Sequence, residues 1–259
     1  MPEAYIVSVA FVFGLLIGSF LNACAYRIPA GVSVAKGRSF CPACKAQIRG
    51  YDNIPLVSWV LLRGHCRDCG APISWRYPLV EGLTAVLFAA VAALDGPSAV
   101  LFPHLLFVST LVLVSEIDIA ERIIPNVVVL PVAGIGLVAM TIIDPGGGVR
   151  WEWLVAGLGA AAFLFAIAWV YERLRKVEAM GMGDVKLALC MGFFLGAAVV
   201  PALFIGFITG ALAGVLLIAR GRSAQTAIPF GPFLAAGAIA ALFWGQPLID
   251  LYLRVTFPS

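Results

Sequence analysis

Gly181-Met182-Gly183-Asp184-Val185-Lys186 opens onto an apolar run of 33 residues, Leu187 to Ala219. At 1.5 Å per residue, one straight helix of that length would reach about 50 Å, well past the roughly 30 Å hydrocarbon core of a bilayer. Pro201 is therefore expected to mark a tight turn between two short spans. The carboxylate of Asp184 stands directly behind two glycines at the mouth of this run. An ionisable group there is costly to keep, which makes it a candidate functional residue in need of a partner.

Working outward, the 259-residue chain as a whole has the same character: 62% of residues are hydrophobic and 12% charged, with a mean hydropathy of +1.01. Those values lie outside soluble usage. Apolar runs long enough to cross a bilayer fall at about 4–25, 78–95, 98–116, 126–143, 152–171 and 232–250. Together with the two spans flanking Pro201, they predict an all-α polytopic membrane protein of about eight transmembrane helices. The first run lacks a basic leader and a small-residue cleavage site, so it is expected to stay as a span. A net charge of +3, carried in loops rather than along a helix face, excludes a nucleic-acid partner and leaves membrane lipid as the surroundings. Placing 27–77, 118–125, 172–186 and 220–230 on one side gathers 15 of the 17 Lys and Arg, with Arg150 and Arg254 opposite. Short loops rich in Lys and Arg face the cytoplasm. The expected organisation is a first helix over 1–26, a cytoplasmic loop domain over 27–77, and a transmembrane region of about seven helices over 78–259. Nothing in the sequence sets an oligomeric state.

The loop carries Cys41-Pro42-Ala43-Cys44 and Cys66-Arg67-Asp68-Cys69, with 21 residues between the pairs. Two such knuckles place four thiolates around one Zn²⁺, and a four-cysteine shell leaves no open position for catalysis, so Cys41, Cys44, Cys66 and Cys69 are expected to hold a structural zinc. A module this small has little core of its own, and the metal would supply the missing stability. The remaining cysteines, Cys24 and Cys190, lie in apolar runs, a usage that suits a reducing compartment. His65 reads as a solvated loop residue. Tyr51 to Leu56 with Ser58 and Trp59 reads as packing at the membrane interface, where Trp and Tyr gather, with a small-molecule surface as the alternative. Asn22, after Gly18 and Ser19 in the first span, is open between helix packing and a site role. Glu81, just inside the second span, is expected to meet a loop arginine or a helix N-terminus.

A second carboxylate, Asp118, abuts the third apolar run, and Pro125 suits the first turn of the helix after it. Both Asp118 and Asp184 then lie at the cytoplasmic edge of the membrane. Two adjacent carboxylates cannot both stay ionised, which gives one acid and one base. That division is what aspartic proteolysis uses. The competing reading makes them ordinary interfacial residues paired with Arg122 and Lys186. No Gly-x-Ser-x-Gly elbow or His-Glu-x-x-His helix is present, and two histidines in all argue against a serine or cysteine triad.

Taken together, Gly18 to Pro29, the two knuckles, Tyr51 to Leu56, Ser58-Trp59, Arg63-Gly64, Ser74, Arg76-Tyr77-Pro78, Glu81, Ile117-Asp118, Ile124-Pro125 and Gly181 to Lys186 closely resemble the motifs of bacterial type IV prepilin peptidases, in order along almost the whole chain. The resemblance implies that Asp118 and Asp184 are the catalytic dyad of a Gly-x-Gly-Asp aspartyl peptidase in the bacterial inner membrane. It implies prepilin and pseudopilin substrates of type IV pilus and type II secretion systems, cut at the cytoplasmic face after a glycine. The cysteine-bearing loop resembles that of bifunctional members, which implies N-methylation of the new terminus with S-adenosylmethionine as methyl donor. Two positions depart from the family pattern, the extra acid Glu116 and Asn126 in place of an aspartate. The alternatives are a Gly-x-Gly-Asp intramembrane protease of another substrate class, and a non-enzymatic transporter or assembly factor.

Overall fold

A computed structural model describes residues 2–35, 37–143, 151–175, 181–221 and 228–257. Lys36, Arg150, Lys176 and Arg222, which entered the charge count, lie outside the described residues. Within them the chain is helical, without a β-strand. Seven helical stretches are long and apolar enough to cross a membrane, the longest being Met182–Ala219. That stretch is broken in two by a 3-10 turn at Gly196–Ala198, giving eight long helices among the described residues, as the sequence predicts. The chain divides into two compact units, Met1–Glu116 and Ile117–Ser259.

In the first unit, α1 (Pro2–Arg27) packs along α3 (Arg76–Asp95). The fit depends on missing side chains. A Cβ on Gly14 would lie 2.6 Å from the Ala85 Cα, and one on Gly18 would lie 2.7 Å from the Glu81 Cα. Small residues let helices approach closely where no water drives them together. Asn22 Nδ2 donates across this seam to the Tyr77 carbonyl at 3.2 Å, and with Ser19 it also borders a cavity under the loop. Between these helices lie the cysteine loop and one short helix, α2 (Val57–Leu61). The unit closes with most of α4 (Leu101–Glu121).

The second unit takes in the last turn of α4, then α5 (Asn126–Ile143), α6 (Glu152–Arg175), α7 (Met182–Leu195), α8 (Val199–Ala219) and α9 (Gly231–Thr256). α7 is its centre, packed by α5, α6 and α9, and α8 lies along α9. Gly157 and Gly192 bring the α6 and α7 backbones into contact, and Gly136 on α5 accommodates the Phe194 ring. On α8, Val200, Phe204, Ile208, Leu212 and Val215 are exposed while Val199, Ala202, Leu203 and Gly206 are buried. That helical stripe of exposed apolar side chains is a lipid-facing surface.

The turn after α7 corrects one expectation. It forms at Gly196, whose φ of +54° suits glycine and whose N–H bonds the Gly192 carbonyl. Pro201 instead falls in the first turn of α8, where its missing N–H has no helical partner to lose. α7 is thereby only 14 residues long, about 21 Å.

Candidate functional site

α4 does not stop at the edge of its apolar run but continues through Glu121, which places Asp118 in its last turn. Arg122 ends the helix with φ +57° and donates its N–H to the Asp118 carbonyl at 3.0 Å, the left-handed cap that glycine more often fills. Ile123, Ile124 and Pro125 then lead into α5. α7 begins after Gly181, whose extended backbone forms the N-cap and whose carbonyl accepts the Asp184 N–H at 3.1 Å. Asp184 thus lies in the first turn of α7, the end that favours negative charge.

The fold brings the two carboxylates into electrostatic contact. Asp118 is 5% exposed and Asp184 8%. Neither takes part in an ion pair among the described residues. Lys186, the cation expected beside Asp184 on the interfacial reading, donates from Nζ to Asn126 Oδ1 at 2.9 Å, tying the start of α5 to the first turn of α7. What Asp118 does receive is the Gly231 N–H, 2.9 Å from Oδ2, from the first residue of α9. The approach needs glycine: a Cβ at position 231 would sit 2.7 Å from that oxygen. Gly183 has a matching role, since its Cβ would lie 2.8 Å from that of Ile124. The close approach it permits is therefore filled by the chain itself. The contact with Gly231 is absent from the sequence reading. The available signal was the pair Gly231-Pro232 at a helix start, which the fixed φ of proline suits.

The loop of the first unit repeats one small structure twice. Cys41 N–H bonds the Ala46 carbonyl and Lys45 N–H the Cys41 carbonyl, each at 2.9 Å. Cys66 N–H bonds the Ala71 carbonyl at 2.8 Å and Gly70 N–H the Cys66 carbonyl at 2.9 Å. Lys45 (φ +61°) and Gly70 (φ +70°) turn the chain identically. The four sulfurs of Cys41, Cys44, Cys66 and Cys69 lie within 4.8 Å of one another. Cys41 and Cys69 sulfurs are 3.9 Å apart, close to the ~3.8 Å separation of ligands on a tetrahedron with ~2.3 Å Zn–S bonds. N–H groups of Cys44 and Ala43 directed at its sulfur bring Cys41 down to about 7. Cys69 also receives an N–H, from Ala71, but the surrounding Cys44, Cys66 and Cys41 sulfurs outweigh it and push Cys69 up to about 12. Four adjoining sulfurs cannot all carry charge unaided, and a divalent cation removes that conflict. The cluster could hold a metal ion, and His65, exposed on the loop, is not one of its members.

Other acids are already engaged. Glu116 Oε1 accepts from Arg76 Nη2 at 3.0 Å, so this departure from the family pattern binds a cation at the end of the loop. Asp52 takes a bidentate bond from Arg67, the shorter contact being 2.6 Å, and the guanidinium holds its carboxyl below the usual carboxylate range. Among the described residues, Glu81 meets no arginine. Its Oε2 accepts the Leu56 backbone N–H at 2.8 Å. Of the stretch Tyr51 to Leu56 with Ser58 and Trp59, the residues Asp52, Asn53, Ile54, Leu56, Ser58 and Trp59 line a cavity of about 440 Å³.

The sequence profile described as Bacterial Peptidase A24 N-terminal domain matches residues 12–94, and that of the Type IV leader peptidase family matches residues 105–218. Over 254 residues the chain is 36% identical to the Prepilin leader peptidase/N-methyltransferase of Bacillus subtilis (strain 168), covering 96% of this chain and 98% of that protein. The chain belongs to the type IV leader peptidase family. Proteins of the same description from Aeromonas hydrophila (36% identity; 98% of this chain, 95% of the relative) and Burkholderia pseudomallei (strain 1026b) (34%; 95% and 88%) are similar along nearly their whole lengths. No solved structure matches the chain. The family's two sequence regions each carry one of the two clusters, the cysteines in the first and the aspartates in the second.

Proposed function

We propose that the chain is a membrane aspartyl endopeptidase that removes the leader of type IV prepilins and pseudopilins, with Asp118 and Asp184 as its catalytic pair, and that N-methylates the terminus it releases. The observation that carries this reading is the pairing of two buried carboxylates, outside any ion pair among the described residues, at the C-terminal turn of α4 and the N-terminal turn of α7. Their surroundings differ, which supports different roles. Asp118, holding the Gly231 N–H, is the ionised member that takes a proton from water. Asp184 keeps a proton and polarises the scissile carbonyl. Water oxygen bonds to the carbonyl carbon, the C–N bond breaks, and the leaving amine takes up a proton.

Loops bearing 15 of 17 basic residues support a cytoplasmic position for this end of the helices in the bacterial inner membrane. Glu116 and Asp52 are occupied by Arg76 and Arg67, whereas Glu121 is exposed and free of an ion pair among the described residues, so it would attract a basic leader. Zinc, held by Cys41, Cys44, Cys66 and Cys69, is structural in this reading. S-adenosylmethionine would supply the methyl group: the neutral amine would take it as the C–S bond breaks with its electrons staying on sulfur, and would give a proton to solvent. The test is co-expression with a prepilin and detection of the shortened product. Asp118→Asn or Asp184→Asn should lower cleavage by at least about 10²-fold, the scale of an acid or base group, without loss of bound zinc. Normal processing by either variant would defeat the assignment.

A further inference from the structure

The loop of the first unit carries the cysteine cluster and also encloses a cavity that runs from Cys41 and Cys66 to Ser19 and Glu81. We propose that this cavity of about 440 Å³, between the adjoining ends of α1 and α3 and the two knuckles, is the methyl-donor site, with Glu81 facing the donor's cationic methionine moiety. The inference rests on the methyltransferase half of the proposed function and locates it.

Charge singles out Glu81. Of the ionisable groups lining the cavity, Arg67 is paired with Asp52 and Arg49 with Asp68. The buried Arg27 guanidinium spreads its donors over the carbonyls of Ser33, Val34, Gly37 and Arg38. Glu81, 7% exposed, has the Leu56 N–H and the Ser19 hydroxyl beside it but, among the described residues, no basic side chain in an ion pair. A buried carboxylate without a cation is an expensive arrangement unless a ligand supplies the charge, and the donor's sulfonium and ammonium groups do so.

Backbone strain points to the same place. Leu56 adopts φ +59° and ψ −50°, a combination that a side-chain-bearing residue seldom takes and that concentrates at ligand sites. The Glu81 bond to its N–H holds it there. Nearby, Trp59 is fixed by the bond from Nε1 to the Ile73 carbonyl at 3.2 Å, and with Tyr26 and Tyr77 it offers aromatic surface for an adenine ring. The volume lies within the range of small-molecule sites.

Methyl transfer also needs an acceptor in line with the donor. A second cavity of about 240 Å³ shares Ser19, Ala23, Arg27, Ser39 and Asn53 with the first and is bordered by the exposed apolar Leu16 and Phe20 of α1. A substrate terminus arriving from the lipid with an apolar side chain would enter there.

Equilibrium dialysis of the zinc-loaded full chain with radiolabelled S-adenosylmethionine tests the site. Glu81→Gln keeps an oxygen to accept the Leu56 N–H and removes only the charge, so donor affinity should fall at least ten-fold at unchanged zinc content; binding as tight as in the unaltered chain overturns the proposal. Should Glu81→Gln shed its zinc, ultraviolet cross-linking of the donor to the unaltered chain decides instead. Label on peptides from 19–27, 39–59 or 62–81, which line the cavity, supports it, and label confined elsewhere overturns it. A chain that neither binds the donor nor methylates a cleaved pilin removes the methyltransferase reading itself. One that methylates but cross-links elsewhere removes only the location.

Discussion

The cysteine loop and the carboxylate pair solve the same problem, holding a few polar atoms in a fixed array, by opposite means. In the loop almost every position is set by a polar contact: four converging sulfurs, the Arg27 guanidinium among four carbonyls, the Ser58 hydroxyl bonding the Tyr51 carbonyl, and the Arg67–Asp52 pair. At the carboxylates the positions are set by helix ends and apolar contact, with one N–H from Gly231 as the chief polar addition. The reason is the solvent. A backbone outside the bilayer can satisfy its polar groups irregularly, whereas inside it only helices satisfy them, and a site must be built where helices start and stop. The loop should therefore depend on metal and charge, and the carboxylate site on close packing.

Metal removal is the strongest way to separate them. Small structural zinc sites bind with about 10–16 kcal/mol of apparent free energy, much of it serving as folding energy. Stripping the metal, or Cys66→Ser, should abolish amide-exchange protection over 39–73 while Leu187 to Leu195 of α7 keep theirs. Equal loss in both regions would mean that the two are not separately stabilised.

The converse disturbance is a single methyl group. Gly231→Ala would put it 2.7 Å from Asp118 Oδ2, and Gly183→Ala would press on Ile124 at 2.8 Å. A displacement near 1 Å at a reacting group costs on the order of 10²-fold in rate, so leader cleavage should fall by about that factor with zinc content intact. Gly181→Ala offers the contrast. Its Cβ would meet nothing closer than 3.8 Å, so cleavage should stay within about threefold of the unaltered chain, a loss under 1 kcal/mol. If Gly181→Ala proves as damaging as Gly231→Ala, the space beside Gly181 belongs to the bound substrate.

These two architectures were unequally legible in the sequence. Span number and the eightfold helical plan follow from run length because lipid thickness fixes it, and the knuckles follow from spacing because metal geometry fixes that. Asp118 and Asp184 stood out because carboxylates beside apolar runs are rare. The turn at Gly196 was assigned to Pro201 because proline is a visible breaker, although in a first helical turn it breaks nothing. Gly231 was missed because a donated backbone N–H has no residue signature. The pairing of Glu81 with Leu56 joins positions 25 apart, and that of Arg76 with Glu116 joins positions 40 apart. Both depend on the fold, and no local pattern announces them.

The smallest effect expected belongs to Asp52 and Arg67, where the loop's reliance on charge can be read without touching the metal. The guanidinium holds the Asp52 carboxyl below its ordinary value, so the pair contributes stability that is complete above the unfolded value, about 3.9. It is lost as pH falls through the lower folded value. Arg67 is 44% exposed in its side chain, which limits the contribution through solvent screening. Acid also protonates thiolates and weakens any zinc site, so the informative quantity is the difference between the unaltered chain and Arg67→Gln. In amide exchange over 49–60, that difference should be full from pH 7 down to about 4 and shrink below it as the Asp52 charge is lost. A difference that instead stayed constant below about pH 4 would mean that Arg67 stabilises the loop through packing against Tyr51, whose ring lies 5.5 Å beneath its guanidinium, rather than through the carboxylate. The loop would then resemble the helical site more closely than its polar contacts suggest.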